Sequence, residues 1–359
     1  MKLNFGLDRF SGLYLLAIFI VVFSIWAPGL FPTMTTVHIL ASTQSIAGMA
    51  ALALLIPMVT GNFDLSIGAT ANLAGVSAAL VQVNGVMSAM PALLFGVFIG
   101  VTIGVINGFV IVKLRVNSFI ATLGMGSILA AIMIIVTNNQ EPMPVEAGTF
   151  TALTQTDVLG FQSVIFYLII LALVIWWVLD RTPAGRYMRA VGGNPEAARL
   201  TGIRVDRWVW ISMICSASIA AFAGVMFVSL TGPALGFGGT LLLPAFAAVF
   251  LGSTQLQPGR MNVWGTLIAI FALATGVQGL QLVTGVQWVS AMFDGVALIA
   301  AVALAVGRER KLSKGGARRK DQSSEGIGEN PDETLLRLDE PGGNILDPSE
   351  ASKLGRNAE

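Results

Sequence analysis

The chain has 359 residues, of which 55% are hydrophobic and 11% are charged, and its formal net charge is +1. Because soluble domains carry about 25% charged residues, this composition excludes an ordinary soluble protein and predicts a polytopic membrane protein that is surrounded by a lipid bilayer. The single cysteine, Cys215, and the single histidine, His38, exclude a disulfide framework, a cysteine metal cluster and a histidine-based zinc or catalytic centre. We expect no metal site and no nucleic-acid partner.

Ten apolar segments follow one another along the chain, most of them close to the ~20 residues that cross a ~30 Å hydrocarbon core. We predict ten transmembrane helices, at residues 10–26, 37–59, 65–83, 90–112, 119–136, 161–179, 208–230, 235–251, 263–283 and 286–306. The first is predicted to be a retained membrane anchor, because no small-residue cleavage site follows it. The eighth contains three glycines and Pro244, so a broken or a re-entrant helix is the alternative to a simple span.

The distribution of lysine and arginine orients these helices. If the N-terminus is inside and all ten segments cross, then all 21 Lys and Arg residues lie in the inner segments. The longest outer loop, residues 137–160, carries three acidic residues instead. Lysine and arginine are retained on the cytoplasmic side of membranes. We therefore predict an all-α fold with cytoplasmic N- and C-termini.

A change of composition divides the chain after residue 306. Residues 1–306 form the predicted transmembrane domain, and residues 180–207 form its longest cytoplasmic loop. Residues 307–359 are charged, rich in Gly, Ser, Asn and Pro, and almost free of aromatic residues. Such segments bury too little apolar surface to fold, so we predict a disordered cytoplasmic tail.

A glycine recurs at every fourth position of the fourth segment. At helical spacing these glycines share one face, where a neighbouring backbone can approach closely. We predict a helix-packing face made of Gly96, Gly100, Gly104 and Gly108.

Polar residues within or beside the apolar segments are candidates for a translocation pathway. Asp64 is interpreted either as the N-cap of the third helix or as a gating residue. Asp294, in the tenth segment, is either a structural acid with a partner or a pathway residue. Five uncharged groups either join helices by hydrogen bonds or line the pathway: Asn72, Asn107, Thr122, Gln278 and Gln281.

The loop at residues 180–207 contains the signals of a short polar helix at residues 195–201. Asn194 is a good N-cap, Pro195 suits the first helical position, and Gly202 suits a left-handed stop. Glu196 and Arg199 complement the positive and negative ends of the helix dipole.

A helix of two turns is marginal in water, so this one needs a surface on which to pack. Ala197, Ala198 and Leu200 offer a small apolar surface for that contact. The helix either lies on the inner face of its own protein or docks on a soluble partner.

Four stretches resemble the permeases of ABC importers of the ribose, xylose and arabinose family. The stretch GRYMRAVGGNPEAARLTGI (residues 185–203) resembles the cytoplasmic coupling loop of that family. GNFDLSIG (residues 61–68), NGFVIVKLRVNSFIATLGMGSI (residues 107–128) and residues 263–304 resemble three further segments in the same order. The resemblance covers residues 10–306.

This resemblance implies a non-catalytic permease subunit of the bacterial inner membrane that imports a sugar, either a pentose, a hexose or a related polyol. It implies a second permease, identical or paralogous, a periplasmic sugar-binding protein and a separate ATP-binding cassette that holds ATP and Mg²⁺. The absence of a phosphate-binding loop agrees with an ATP site on another chain. The resemblance assigns the ATPase-coupling helix to Gly193, Asn194, Pro195, Glu196, Ala197, Ala198, Arg199, Leu200 and Gly202.

Within that helix, Glu196, Ala197 and Ala198 are predicted to face the ATPase. The chain departs from the family pattern at LLPAFAAVFLGS, where Leu242 replaces the usual glutamate and Pro244 is unusual. An ion-driven secondary transporter or channel, with Asp64 and Asp294 as ion-coupling acids, is the alternative. This alternative does not explain the capped polar helix in the cytoplasmic loop.

Overall fold

The computed structural model describes residues 10–142 and 148–325, with side chains through residue 307. The chain divides into two units, Met1–Arg308 and Glu309–Glu359, and every contact below lies within the first. The helices are α1 Ser11–Trp26, α2 Met34–Val59, α3 Ile67–Val83, α4 Ala89–Val112, α5 Ser118–Thr137, α6 Thr149–Gln155, α7 Ser163–Arg181, α8 Pro183–Gly193, α9 Pro195–Leu200, α10 Val205–Thr231, α11 Gly238–Ser253, α12 Val263–Thr284 and α13 Trp288–Glu325.

Each predicted apolar segment overlaps one of these helices over most of its length. Within the described residues, seven helices are long and apolar enough to cross a membrane, and α1, α3 and α11 are shorter apolar helices of 16, 17 and 16 residues. At 1.5 Å per residue, the three shorter helices extend only about 25 Å. The fold is therefore mostly helical with several membrane spans. A pair of two-residue strands, Asp157–Val158 and Phe161–Gln162, forms a small antiparallel hairpin before α7.

The structure excludes one alternative for the eighth segment and extends the helix of the tenth. The eighth segment is not broken: α11 runs without interruption from Gly238 to Ser253, with Pro244 inside it. Proline removes a single backbone hydrogen bond, here to the carbonyl of Thr240, and transmembrane helices tolerate that loss. Helix α13 continues past residue 307 to Glu325, and the disorder of the tail stays a prediction. The remainder of the predicted tail lies outside the described residues.

The core is built around α2 and α10. All residues from 45 to 60 are buried, so the second half of α2 is surrounded on every side. Helices with apolar residues all round occupy the interior of a bundle. Helix α10 packs against α2, α3 and α4, and α11 packs against α2, α3 and α12.

The glycines of α4 form the contact with α10. A Cβ atom at any of them would lie between 2.2 and 2.6 Å from an atom of α10, which is closer than real contacts allow. At Gly100, for instance, that Cβ would lie 2.5 Å from the backbone carbonyl oxygen of Ala217. The four glycines concerned are Gly96, Gly100, Gly104 and Gly108. Small residues therefore set the distance between the two backbones.

Candidate coupling helix and translocation site

Helix α9 begins and ends through local hydrogen bonds. The backbone N–H of Ala197 donates to Asn194 Oδ1 at 3.1 Å, and Pro195 occupies the first turn. At the other end Gly202 has a φ of +82°, a left-handed conformation that glycine adopts without strain. The N–H of Gly202 donates to the carbonyl of Arg199 at 2.9 Å, and that of Ile203 to the carbonyl of Ala198 at 3.0 Å. These two bonds make a complete Schellman stop.

One face of α9 is buried on the protein itself. Ala198 is only 4% exposed and packs with Val191, Val205 and Val209 from α8 and α10. The expectation that Ala198 faces the ATPase is therefore wrong. Residues two apart lie about 200° apart on a helix, so the burial of Ala198 turns Leu200 outward.

The outward face of α9 carries the features that a partner could contact. Leu200 is 90% exposed, and Glu196 and Ala197 are exposed beside it at the i−4 and i−3 positions. Arg199 lies to one side, where it pairs with Glu196 at 3.7 Å and with Asp206 at 3.2 Å. The face therefore combines one large apolar side chain with a carboxylate.

Helix α8, which was not predicted, packs against the buried side of α9. Met188 and Val191 are buried at helical spacing, and Pro183 occupies the first turn. This apolar spacing after a proline is the signal that could have predicted the helix. At its end, a Cβ on Gly192 would lie 2.2 Å from the carbonyl oxygen of Val59, so α8 sits directly on the end of α2.

The loop between α2 and α3 is held by a buried carboxylate. Asp64 Oδ1 accepts from the backbone N–H and the hydroxyl of Ser66 at 3.0 and 2.6 Å. Asp64 Oδ2 accepts from the Ser216 hydroxyl on α10 at 2.8 Å, and Asn107 Nδ2 on α4 donates to Ser66 Oγ at 2.9 Å. Asp64 is fully buried and forms no ion pair within the described residues. Ser66, not Asp64, occupies the N-cap position of α3.

The same loop is also tied to α5. The backbone N–H of Phe63 donates to Ser118 Oγ at 3.1 Å, and that of Leu65 donates to Thr122 Oγ1 at 3.0 Å. Side chains of α5 therefore satisfy the backbone of this loop, while those of α4 and α10 bond to the side chains of Ser66 and Asp64, as buried polar groups require. For Thr122 the sequence left open a pathway role or a hydrogen bond between helices, and the structure places its side chain in this network.

A cavity of about 340 Å³ lies between α3, α5 and α11. Its polar lining consists of Asn72, Ser127 and the backbone of the glycines at the start of α11, and no charged side chain of the described residues lines it. With its amide oriented to satisfy both neighbours, Asn72 donates to the carbonyl of Ala234 at 3.3 Å and accepts from the N–H of Gly236 at 3.2 Å. Leu242, which replaces the glutamate of the family pattern, is part of the wall.

The remaining pathway candidates lie elsewhere, on α12 and α13. Gln281 donates to the hydroxyl of Ser290 and so joins these two helices. Gln278 and Asp294 are partly buried and make no side-chain hydrogen bond within the described residues. None of these three residues lines the cavity. The structure thus separates the candidates into a loop network, a cavity wall and an α12–α13 group.

Comparisons with known proteins identify the family. Residues 36–302 match the family described as branched-chain amino acid transport system / permease component. A ribose import permease of Escherichia coli (strain K12) is 31% identical over 303 residues, which are 81% of this chain and 92% of that protein.

Two further relatives are similar over most of their length. The D-allose transport system permease of Escherichia coli (strain K12) is 27% identical over 316 residues, which are 87% of this chain and 95% of that protein. An autoinducer 2 import system permease of Escherichia coli O9:H4 (strain HS) is 30% identical over 273 residues, which are 74% and 82% of the two chains. These matches confirm the resemblance that the sequence motifs indicated. The chain belongs to this family of transport permeases: it is a multi-pass membrane protein and the non-catalytic permease subunit of an ABC importer.

Proposed function

We propose that this subunit imports a sugar across the bacterial inner membrane. A periplasmic sugar-binding protein delivers the sugar, and a second permease, identical or paralogous, completes the pore. ATP and Mg²⁺ are bound by a separate ATP-binding cassette, and this chain holds no cofactor. Two relatives are named for ribose and D-allose, which are neutral and rich in hydroxyl groups. The cavity beside Asn72 suits such a cargo, because its mostly apolar wall carries a few uncharged polar groups, namely Asn72, Ser127 and the glycine backbone, that can bond to hydroxyl groups.

The observation that carries this proposal is the geometry of α9. Its two ends are capped, its inner face is fixed by Ala198, and its outer face presents Leu200 and Glu196. A helix that is capped at both ends and packed on its inner face moves as a rigid body when the ATPase displaces it. We assign the outer face, Glu196, Ala197 and Leu200, to the ATPase contact, with the flanking residues of the stretch 193–202 shaping it.

Movement of α9 reaches the cavity through α8 and the α2–α3 loop. Gly192 abuts the backbone of Val59, and the loop that follows is bonded to α4, α5 and α10 through Asp64 and its neighbours. Leu65, the residue after Asp64, lines the cavity. This continuous set of contacts gives ATP-driven closure a physical route to the pathway.

The pathway candidates take three roles in this scheme. Asn72 lines the sugar pathway, and Asp64, Asn107 and Thr122 set the position of the loop that opens or closes it. Gln278 and Asp294 keep free hydrogen-bonding groups within the described part of the chain, which a sugar or the second permease can use. Gln281 holds α12 and α13 together near them.

Matched leucine substitutions test the ATPase contact. Leu200 and Leu159 are 90% and 89% exposed, but Leu159 lies in the hairpin before α7 rather than on α9. We expect Leu200→Asp to reduce recovery of the ATP-binding cassette with the tagged full-length permease from native membranes at least roughly tenfold, as loss of an interface anchor does. Leu159→Asp leaves that recovery unchanged.

Equal recovery of the cassette with both variants would overturn the assignment of α9. Recovery of the wild-type permease without any cassette would overturn the proposal that this subunit works with a separate ATP-binding cassette. Uptake of radiolabelled ribose and D-allose by the same cells then tests the cargo. A transport rate that does not depend on this permease for either sugar would exclude both.

A further inference from the structure

A groove between α4 and α10 is separate from the cavity and from the outward face of α9. It has a volume of about 870 Å³ and lies at the end of the bundle that carries α9. Its walls are apolar along both helices, with Val105 and Val112 on α4 and Ile211 and Ile214 on α10. Val112 lies seven positions after Val105 on α4, so the apolar wall is about 10 Å long.

The mouth of this groove is strongly basic. Four basic residues and one acidic residue line it: Lys113, Arg199, Arg204, Arg207 and Asp206. Arg199 is engaged by Asp206 at 3.2 Å. Lys113, Arg204 and Arg207 form no ion pair within the described residues, and all three are exposed. Within the described part of the chain, three cations at the mouth are thus without an anionic partner.

The positions of charge and apolar surface match those of a phospholipid. Lys113 directly follows the last residue of α4, and Arg204 directly precedes the first residue of α10. Both cations therefore stand at the same rim, while the apolar walls extend away from it along the helices. Trp210, an amphipathic side chain typical of membrane interfaces, lines the groove between the two regions.

The face of α4 around the groove is itself apolar and open. Phe98, Ile106 and Phe109 are all exposed on α4. Large exposed apolar side chains of this kind are typical of a helix side that contacts lipid chains. A soluble phosphate compound would leave these apolar walls in water. A lipid already present in the bilayer can place its acyl chain along them and its phosphate at the basic rim.

We propose that the groove between α4 and α10 binds one anionic phospholipid, with its phosphate held by Lys113, Arg204 and Arg207. Basic pockets between transmembrane helices recognise anionic headgroups in this way. The bound lipid also touches the coupling helix, because Arg199 and Asp206 line the same groove and pair with each other. Lipid occupancy therefore stabilises the position of α9.

Native mass spectrometry of the full-length permease in detergent tests this proposal. The probes are phosphatidylglycerol and phosphatidylcholine with the same acyl chains. We expect wild-type protein to retain phosphatidylglycerol preferentially. Each basic residue beside an anionic lipid contributes about a factor of five, so the double variant Lys113→Gln/Arg207→Gln should bind phosphatidylglycerol roughly 25-fold more weakly.

A charge-matched control separates the groove from general surface charge. Arg186→Gln/Arg260→Gln removes two exposed arginines that do not line the groove, and it should retain wild-type binding. Val105→Trp fills the apolar wall while keeping every charge, and it should also weaken binding. Thermal unfolding of each variant identifies any that are misfolded, and the lipid assay then rests on those that unfold like wild type.

Three results would overturn the proposal. Equal losses of phosphatidylglycerol binding in the two double variants would mean that binding depends only on the net charge of the protein. Displacement of the lipid by millimolar glycerol phosphate would mean that the site recognises a soluble phosphate. If lipid binding survives in Lys113→Gln/Arg207→Gln and Val105→Trp while cassette recovery falls, the groove belongs to an acidic protein surface instead.

Discussion

The carboxylate of Asp64 shows how a single buried residue organises the site. Removing a charge from water is unfavourable, and no cation compensates for it within the described residues. Three donors from Ser66 and Ser216 take the place of water. The same bonds join the α2–α3 loop to α10. The geometry favours a positioning role for Asp64, which acts through the loop rather than through its charge.

This positioning role predicts different outcomes for two substitutions at residue 64. Asp64→Ala leaves the donors of Ser66 and Ser216 unsatisfied, at about 1–3 kcal/mol each, and should destabilise the protein by roughly 2–4 kcal/mol. Asp64→Asn keeps an acceptor for Ser66 and can donate to the Ser216 hydroxyl, so it should cost less than about 1 kcal/mol. Thermal unfolding in detergent measures both changes, and import assays should find Asp64→Asn active. An Asp64→Asn protein that is stable but inactive would show that the charge itself is required.

Residue-scale predictions succeeded where the signal is local. The N-cap of Asn194 and the left-handed stop of Gly202 depend only on the few residues around them, so the sequence contains all the necessary information. The direction of Ala198 depends on Val205 and Val209, which the fold brings from the next helix. A short helix without a clear apolar stripe cannot reveal which side faces the protein.

Among the elements, α8 and the end of α2 meet through backbone atoms at Gly192 and Val59. Glycine is required at residue 192 because a Cβ there would lie 2.2 Å from the carbonyl oxygen of Val59. Backbone atoms cannot rotate away as a flexible side chain can. Nothing lies within 4 Å of a Cβ placed on the neighbouring Gly193.

These neighbours provide a test with a built-in control. Gly192→Ala should destabilise the protein by about 1–3 kcal/mol, as overpacking does, and should reduce sugar-stimulated ATPase activity of the assembled importer. Gly193→Ala should be neutral or stabilising by up to about 1 kcal/mol, because alanine favours the helix. Thermal unfolding and ATPase assays measure the two effects. If both variants behave alike, α8 does not press on α2.

Element-scale predictions followed the periodicity of the sequence. A glycine at every fourth residue predicted a packing face on α4, and the structure places that face against α10. Periodicity could not name α10 as the neighbour, because the partner helix lies about 100 residues away along the chain. Pro244 left a break in the eighth segment open, because proline removes a backbone hydrogen bond. In the structure the loss of the one bond to the carbonyl of Thr240 leaves α11 continuous. The cavity wall could not be predicted from the sequence either, because Asn72, Ser127 and Leu242 come from three separate helices.

For the whole molecule, the orientation of the helices follows from the predicted crossing of α11. This helix has only 16 residues, yet the placement of all 21 lysines and arginines on one side requires that it cross. The hairpin residue Leu159 would then lie outside, and the exposed Gln257, between α11 and α12, would lie inside. If α11 were re-entrant, Gln257 would lie outside, and α12 and α13 would be reversed.

Cysteine labelling decides between these arrangements. In a Cys215→Ser background, we expect Leu159→Cys to react with a membrane-impermeant maleimide in cells with a permeabilised outer membrane. Gln257→Cys should react only after the inner membrane is opened, because positively charged loops remain in the cytoplasm. Leu159→Cys serves as the control for access, and detergent-solubilised Gln257→Cys as the control for reactivity. Labelling of Gln257→Cys in intact inner membranes would place the α11–α12 loop outside, and the basic stretch after α13 would then lie on the outer side, against the distribution of charge.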